Sequence, residues 1–134
     1  MSQYVDFSCA KLLKEKGFDE LCVAYYKTDD VESINLNIND VTGLPTKESY
    51  LNSYNKQQCE DKIDAPSIQQ VNEYLKKKYN AYPFSTSYWE LTTKYVAMIN
   101  DLTKNAYLMI GDFESENEAY NKCVEYIMQN YGQK

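Results

Sequence analysis

Two capping boxes constrain the fold of this chain more than any other feature of its sequence. Ser67 precedes Gln70 by three residues, and Ser115 precedes Glu118 by the same interval. In such a box the serine hydroxyl accepts a hydrogen bond from a backbone N–H of the first helical turn, and the Gln or Glu side chain bonds back to the backbone N–H of the serine. Because each box leads into apolar residues at helical spacing, the sequence predicts helices that begin at Ser67 and Ser115.

A further helix is predicted near the N-terminus, over about 6–16. Apolar residues from Val5 to Leu13 repeat at the spacing of one helical face. Gly17 follows at the position where a left-handed residue ends a helix, so Phe18 is expected to fold back onto Leu13.

Strands are predicted between these helices. Residues 34–39 alternate strictly between aliphatic side chains and asparagines, which is typical of a half-buried strand with its aliphatic residues on one face. A run at 21–26 is expected to form a hairpin with it. The remaining predicted strands are 84–89, 95–99 and 106–110, and their close spacing favours an antiparallel meander.

The predicted fold class is α+β. The order of elements favours a mainly antiparallel sheet of about 4–5 strands with about three helices packed on one face. A length of 134 residues suits a single globular domain, 1–134. Periodicity fades at about 40–64, and an irregular segment of this length is either functional or a mobile insertion.

The absence of histidine and arginine removes most catalytic hypotheses. Histidine is the usual general base near neutral pH and the commonest metal ligand, and arginine is the side chain that grips phosphate in two places. The chain contains neither. No nucleophile or carboxylate pair stands in a recognisable motif, so we expect no enzyme activity, no metal site and no cofactor.

The cysteines and the N-terminus indicate a cytoplasmic protein. No two of the four cysteines have the spacing of a metal or redox pair, and no charged segment with an apolar run opens the chain. We therefore expect reduced thiols, no disulfide and no membrane segment. Cys9, Cys22 and Cys123 fall on apolar faces and are expected to be core residues.

Composition favours a protein partner with a basic face. The net charge is -6, whereas binders of nucleic acid usually carry a basic surface, so nucleic acid is disfavoured. The chain has 14 tyrosines. The favoured explanation of that excess is an AT-rich coding sequence, and the functional alternative is recognition through aromatic contacts.

An aromatic cluster is the strongest candidate site in the sequence. The predicted binding residues are Tyr88, Trp89 and Tyr95, with Tyr50 and Tyr54 from the irregular segment as additions. A tryptophan on an open sheet face anchors a partner or stacks on a planar ligand; the alternative is a core or edge tryptophan packed by neighbouring tyrosines. Two functions remain open: a non-enzymatic module that binds a protein, or a module that binds a small, nucleotide-like molecule in an aromatic-lined pocket. The sequence leaves the oligomeric state open.

Three segments carry a resemblance to other proteins: residues 14–22, 65–79 and 113–120. Together they resemble small uncharacterised proteins carried by phages and integrated mobile elements of gut bacteria. The resemblance covers most of the chain except about 40–64, and it rests on helix caps and helix faces. It implies a cytoplasmic role in an infected or lysogenic host, a setting that suits a small accessory protein that opposes host defence, and it supplies no activity and no binding residues. Together with the composition, it leads us to expect a protein that binds a host protein.

Overall fold

Three helices and six strands lie in the residues that the computed structural model describes, which are 3–36, 53–85 and 94–132. In chain order they are α1 (Phe7–Glu15), β1 (Ala24–Lys27), β2 (Asp30–Leu36), β3 (Lys62–Asp64), α2 (Ile68–Tyr79), β4 (Ala81–Ser85), β5 (Tyr95–Asp101), β6 (Ala106–Phe113) and α3 (Glu116–Asn130). The α+β class is confirmed.

The predicted single sheet of about 4–5 strands is wrong. The described strands form two three-stranded antiparallel sheets, ordered β2-β1-β3 and β4-β5-β6. The chain divides into two units, Ser2–Ile68 and Gln69–Lys134, and each unit contains one of the sheets. That the chain is a single domain stays a prediction.

Helix α1 begins and ends as the sequence predicts. The Asp6 carboxylate accepts a hydrogen bond of 3.0 Å from the backbone N–H of Cys9 and so caps the N-terminus. Gly17 has a φ of +93°, and the backbone N–H of Phe18 donates to the carbonyl of Leu13 at 2.9 Å. This bond is the one that defines a Schellman motif, and it fixes the fully buried Phe18 against the end of the helix.

Strand β3 lies inside the segment that the sequence predicts to be irregular at about 40–64. It has three residues and pairs antiparallel with β1, so that Asp64 lies opposite Tyr25. A strand of three residues is too short to show a detectable alternation in sequence. It forms because it pairs with β1, which is distant in the chain. Residues 37–52 lie outside the described residues.

Strand β2 confirms the hairpin with β1 but not the burial of its aliphatic face. Ile34 and Leu36 lie opposite Tyr26 and Ala24, yet each is 38% exposed. The reason is position: β2 is at an edge of its sheet, where side chains have strand neighbours on one flank only.

The second unit places α3 across all three strands of the sheet β4-β5-β6. The Ser115 hydroxyl accepts from the backbone N–H of Glu118 at 3.1 Å, which confirms the predicted cap. Helix α2 begins directly after Ser67, also as predicted. The fully buried residues of α3 are Ala119, Cys123, Val124 and Ile127.

Strand β4 begins at Ala81, three residues before its predicted start at Phe84. Asn80 (φ +60°) ends α2, and the chain enters the strand at once. Pro83 is tolerated because β4 is an edge strand, where a missing N–H costs no ladder bond. Residues 86–89 of the predicted strand lie outside the described residues.

Candidate functional site

Three of the five predicted binding residues, Tyr50, Tyr88 and Trp89, lie outside the residues that the structure describes. The other two, Tyr54 and Tyr95, belong to different units and are both half-buried. The surroundings of Tyr54 and Tyr95 are therefore described separately.

Tyr54 packs within the first unit beside a second tyrosine and a lysine. Its ring centroid lies 5.0 Å from that of Tyr25, edge to face, and the Lys62 ammonium is 4.9 Å from the Tyr54 ring. The backbone N–H of Tyr54 donates to the Asp64 carboxylate at 3.1 Å, as does that of Asn55 at 3.0 Å. These contacts hold the turn that follows Ser53 onto β3.

Burial raises the pKa of the Asp64 carboxyl above its ordinary value, and the hydrogen bonds from Asn55 and Tyr54 partly oppose that shift. The side chain is fully buried. Both carboxylate oxygens accept hydrogen bonds from the backbone of the turn that follows Ser53, nine and ten residues earlier in the chain, so we assign Asp64 a structural role.

Tyr95 lies opposite Phe113 at one end of the β5–β6 pair. Residues two apart on a strand share a face, so Tyr95 is on the same face as Ala97 and Ile99, both fully buried. This is the face that α3 covers. Tyr95 is therefore on the opposite side of the sheet from the exposed aromatic residues described next.

The apolar patch consists of Phe84, Tyr107 and Met109 on the other face of this sheet. These side chains are 47%, 59% and 63% exposed. The ring centroids of Phe84 and Tyr107 are 4.4 Å apart, and Tyr107 and Met109 are two residues apart on β6. Exposed apolar residues that touch one another are typical of interaction surfaces, whereas scattered ones are not.

A single helix cannot cover both faces of β6. Helix α3 packs on the face that carries Leu108, and the register places Leu108 opposite the fully buried Ile99. Tyr107 and Met109 alternate to the other face, opposite Asn100 and Met98. The strand is apolar on both faces, and among the described residues α3 covers only the face that carries Leu108.

A shallow groove of about 330 Å³ runs along the α3 side of β6. Its walls include Met109 and Phe113 from the strand and Lys122 and Tyr126 from the helix. Residues on both faces of β6 are therefore accessible, and Met109 borders the patch and the groove alike.

A tyrosine cleft of about 460 Å³ opens at the other end of β6. It is lined by residues from the end of α2, the β5–β6 turn and the end of α3, principally Tyr79, Asp101, Lys104, Tyr107, Tyr126 and Tyr131. Its volume is within the range of small-ligand sites. Tyr107 belongs to both the cleft and the apolar patch, so the two features adjoin.

Asp101 holds the floor of the cleft together. One carboxylate oxygen accepts from the backbone N–H of Lys104 at 3.1 Å, and the other accepts from the Tyr131 hydroxyl at 3.1 Å. Burial raises the pKa of Tyr131 to about 12, and the bond to Asp101 adds to the shift. Tyr131 thus remains a neutral donor throughout the physiological range.

Two of the three lysines at the end of α2, Lys76 and Lys78, contact other residues of the protein. The Lys76 ammonium lies 3.4 Å from the Glu73 carboxylate and 4.8 Å from the centroid of the Tyr82 ring. The Lys78 ammonium lies 5.6 Å from the Tyr74 ring. These contacts give Lys76 and Lys78 partners within the protein.

The thiols offer no activated nucleophile. Cys9, Cys22 and Cys123 are buried, as predicted, and burial raises the pKa of Cys123 to about 12. All four cysteines, including the half-buried Cys59, are free thiols. The Cys59 thiol donates to Asp61 at 2.9 Å, and this bond lowers the pKa of the Asp61 carboxyl.

Among residues 3–36, 53–85 and 94–132, no group of three acidic or cysteine side chains is placed to hold a metal ion. In the same residues no helix combines the length and apolar character needed to cross a bilayer.

Phe84, Tyr107 and Met109 were not among the site residues predicted from the sequence. The signal was present: residues 106–110 are apolar at every position, which requires cover on both faces. Only one helix follows this strand in the chain. A strand of that kind at a sheet edge is expected to leave one apolar face exposed.

No protein-family model matches this chain, and neither a curated protein nor a solved structure shows significant similarity to it.

Proposed function

We propose that the chain is a non-enzymatic binding module that recognises a host protein with a basic face. The observation that carries this proposal is the apolar patch of Phe84, Tyr107 and Met109, which stays exposed on one face of the sheet. Aromatic residues and methionine are enriched at protein interfaces. The aromatic side chains of Phe84 and Tyr107 contribute a large contact area for little loss of side-chain freedom, whereas the flexible side chain of Met109 adapts to the shape of a partner.

A partner of opposite charge fits this surface better than a second copy of the chain. Two copies would each carry a net charge of -6 and repel one another. The β5–β6 pair also contains a bulge at Ile110, where the register shifts between Ala97 and Met98. A bulge disrupts regular edge-to-edge pairing of strands. The exposed Asp112 near the end of β6 would attract basic side chains, as would Glu114 just beyond the strand, which already lies 3.8 Å from the Lys94 ammonium.

The biological setting rests on the sequence resemblance alone. An accessory protein of a phage or mobile element that opposes host defence acts by occupying a host protein, and such an action needs a contact surface and no catalytic group. The cytoplasm is the compartment that this setting implies.

The test is capture of the partner from host lysate with purified chain, followed by measured affinity for the captured protein. Replacing Met109 with aspartate places a charge in the patch, and we expect it to weaken binding at least tenfold, or about 1.4 kcal/mol. Leu21→Asp is the matched control, because Leu21 is 57% exposed and belongs to the other unit.

Equal affinity of the two variants would refute the proposal. Association should also slow as salt rises if the partner is basic, because screening removes the long-range attraction. A partner whose association is independent of salt would contradict the charge argument while leaving the patch itself in place.

A second candidate function is small-molecule binding, which the tyrosine cleft favours. Four tyrosines line it, and its size suits a ligand. A nucleotide is a poor match, however, because the buried Asp101 would repel a phosphate and, of the residues that the structure describes, Lys104 is the only lysine in the lining. Equilibrium dialysis of the chain against host metabolites tests this candidate.

A further inference from the structure

We infer that the tyrosine cleft is a binding site for an organic cation, namely the arginine or lysine side chain of the partner. This inference rests on the proposed function, since it names the group that the partner contributes beside the apolar patch. Three features support it: a buried carboxylate, the surrounding rings and the position of the cleft.

The carboxylate of Asp101 is the first feature. The residue is 5% exposed, and its two hydrogen-bond donors, the Lys104 backbone N–H and the Tyr131 hydroxyl, are both neutral. None of the ion pairs within the described residues involves Asp101. Buried carboxylates are usually compensated by a positive charge, and the cleft gives an incoming cation access to this one.

The rings are the second feature. Tyr126 and Tyr131 contact each other edge to face with their centroids 6.4 Å apart, and Tyr79 and Tyr107 complete the lining. Tyrosine faces attract ammonium and guanidinium groups, most strongly where water is partly excluded. Elsewhere the chain uses this pairing itself, since Lys62, Lys76 and Lys78 lie over tyrosine rings at 4.8–5.6 Å. None of those three lysines lines the cleft.

The position is the third feature. Tyr107 lies in both the cleft and the apolar patch. A partner that covers Phe84 and Met109 can therefore direct a long basic side chain past Tyr107 toward Asp101. Lys104, on the turn at the rim, is the one positive side chain among the described lining residues and would oppose that cation.

The test uses a small probe and needs no partner. The intact chain is titrated with N-acetyl-arginine N-methylamide and, separately, with the neutral citrulline analogue, and binding is followed by ¹H–¹⁵N NMR. We expect saturable shifts at the amides of Lys104, Tyr107 and Tyr131, with citrulline binding at least about tenfold more weakly because it has the shape of arginine without its charge.

Charge variants distinguish binding of the probe in the cleft from attraction to the net charge of the protein. Lys104→Glu should tighten binding of the arginine probe about threefold or more, whereas Lys78→Glu, which changes the net charge equally on another element, should alter it less than about twofold. Asp101→Asn should weaken binding at least about fivefold. If that variant fails to fold, Tyr126→Leu removes one ring, leaves the carboxylate in place and should weaken binding as well.

Equal binding of the arginine and citrulline probes, or equal tightening by Lys104→Glu and Lys78→Glu, would overturn the inference. Shifts confined to residues outside the cleft would overturn it too. The two proposals fail separately. If Met109→Asp abolishes partner binding but the probe does not bind, the cation site is wrong and the proposed function stands. If the probe binds but Met109→Asp leaves the partner bound, the proposed function is wrong.

Discussion

Replacing Asp101 with alanine should destabilise the protein by about 2–3 kcal/mol. The side chain accepts hydrogen bonds from the Lys104 backbone N–H and the Tyr131 hydroxyl, both at 3.1 Å. Hydrogen bonds to a charged group contribute about 1.5–3 kcal/mol each, and relief from burying the carboxylate offsets part of that loss. Asp101→Asn retains one acceptor and removes the charge, so it should cost about 1 kcal/mol.

Two measurements check this prediction. Urea unfolding followed by circular dichroism gives the free energy of unfolding, and ultraviolet titration of tyrosinate follows Tyr131. Its folded pKa of about 12 exceeds the ordinary value of 10.0, so the stability it contributes is complete below pH 10 and is lost as pH rises toward 12. Asp101→Asn should lower the Tyr131 pKa and reduce that loss. A cost for alanine below about 0.5 kcal/mol, or an unchanged alkaline titration, would refute the reasoning.

Three further predictions concern the two units. Ile127→Ala leaves a cavity at a fully buried position on α3 and should lower the free energy of unfolding in urea by about 3–4 kcal/mol. The exposed control Gln129→Ala should lower it by less than about 0.5 kcal/mol. Similar losses in the two variants would contradict the assigned core. Ser115→Ala removes the acceptor for the backbone N–H of Glu118 and should cost about 1 kcal/mol, and no loss would mean that the cap is not needed. Burial raises the pKa of the Asp64 carboxyl, so its stabilising contribution is complete below the unfolded pKa and falls as pH rises through the folded pKa. Urea unfolding between about pH 3 and 7 should therefore show a stability difference between wild type and Asp64→Asn that shrinks as pH rises. A difference that grows with pH would contradict the raised pKa.

Local chemistry made the helices predictable. Gly17 and Ser115 act through bonds to residues only a few positions away, and the structure contains both bonds. Helix caps are set by short-range hydrogen bonding, so sequence alone suffices for them. The same holds for the meander of β4, β5 and β6, whose strands are joined in sequence order.

Non-local pairing explains what the sequence did not predict. Strand β3 exists because Ile63 lies opposite Tyr26, far away in the chain, and no pattern within Lys62–Asp64 announces it. The division of the strands into two sheets is likewise a matter of which edges pair. A periodic pattern reports the face of a strand but not its neighbours.

The candidate site was predicted in kind but not in position. Aromatic recognition was expected from the tyrosine content, yet the exposed residues are Phe84 and Tyr107, which the sequence suggested only as strand residues. Exposure depends on where the single helix α3 lies relative to β6, and that is decided by packing. Tyr88 and Trp89 stay predictions, since they lie outside the described residues.

Methyl NMR on the chain bound to its captured partner tests the central claim most directly. Labelling the methionine methyl groups with ¹³C gives reporters at Met109 in the apolar patch (63% exposed) and at Met128 on α3 (8% exposed). If the patch is the contact surface, the Met109 signal shifts and broadens as the partner is added, and Met98, directly opposite it on β5, shifts less. Met128 should stay unchanged. A partner that binds tightly while the Met109 signal remains in place would contradict the account.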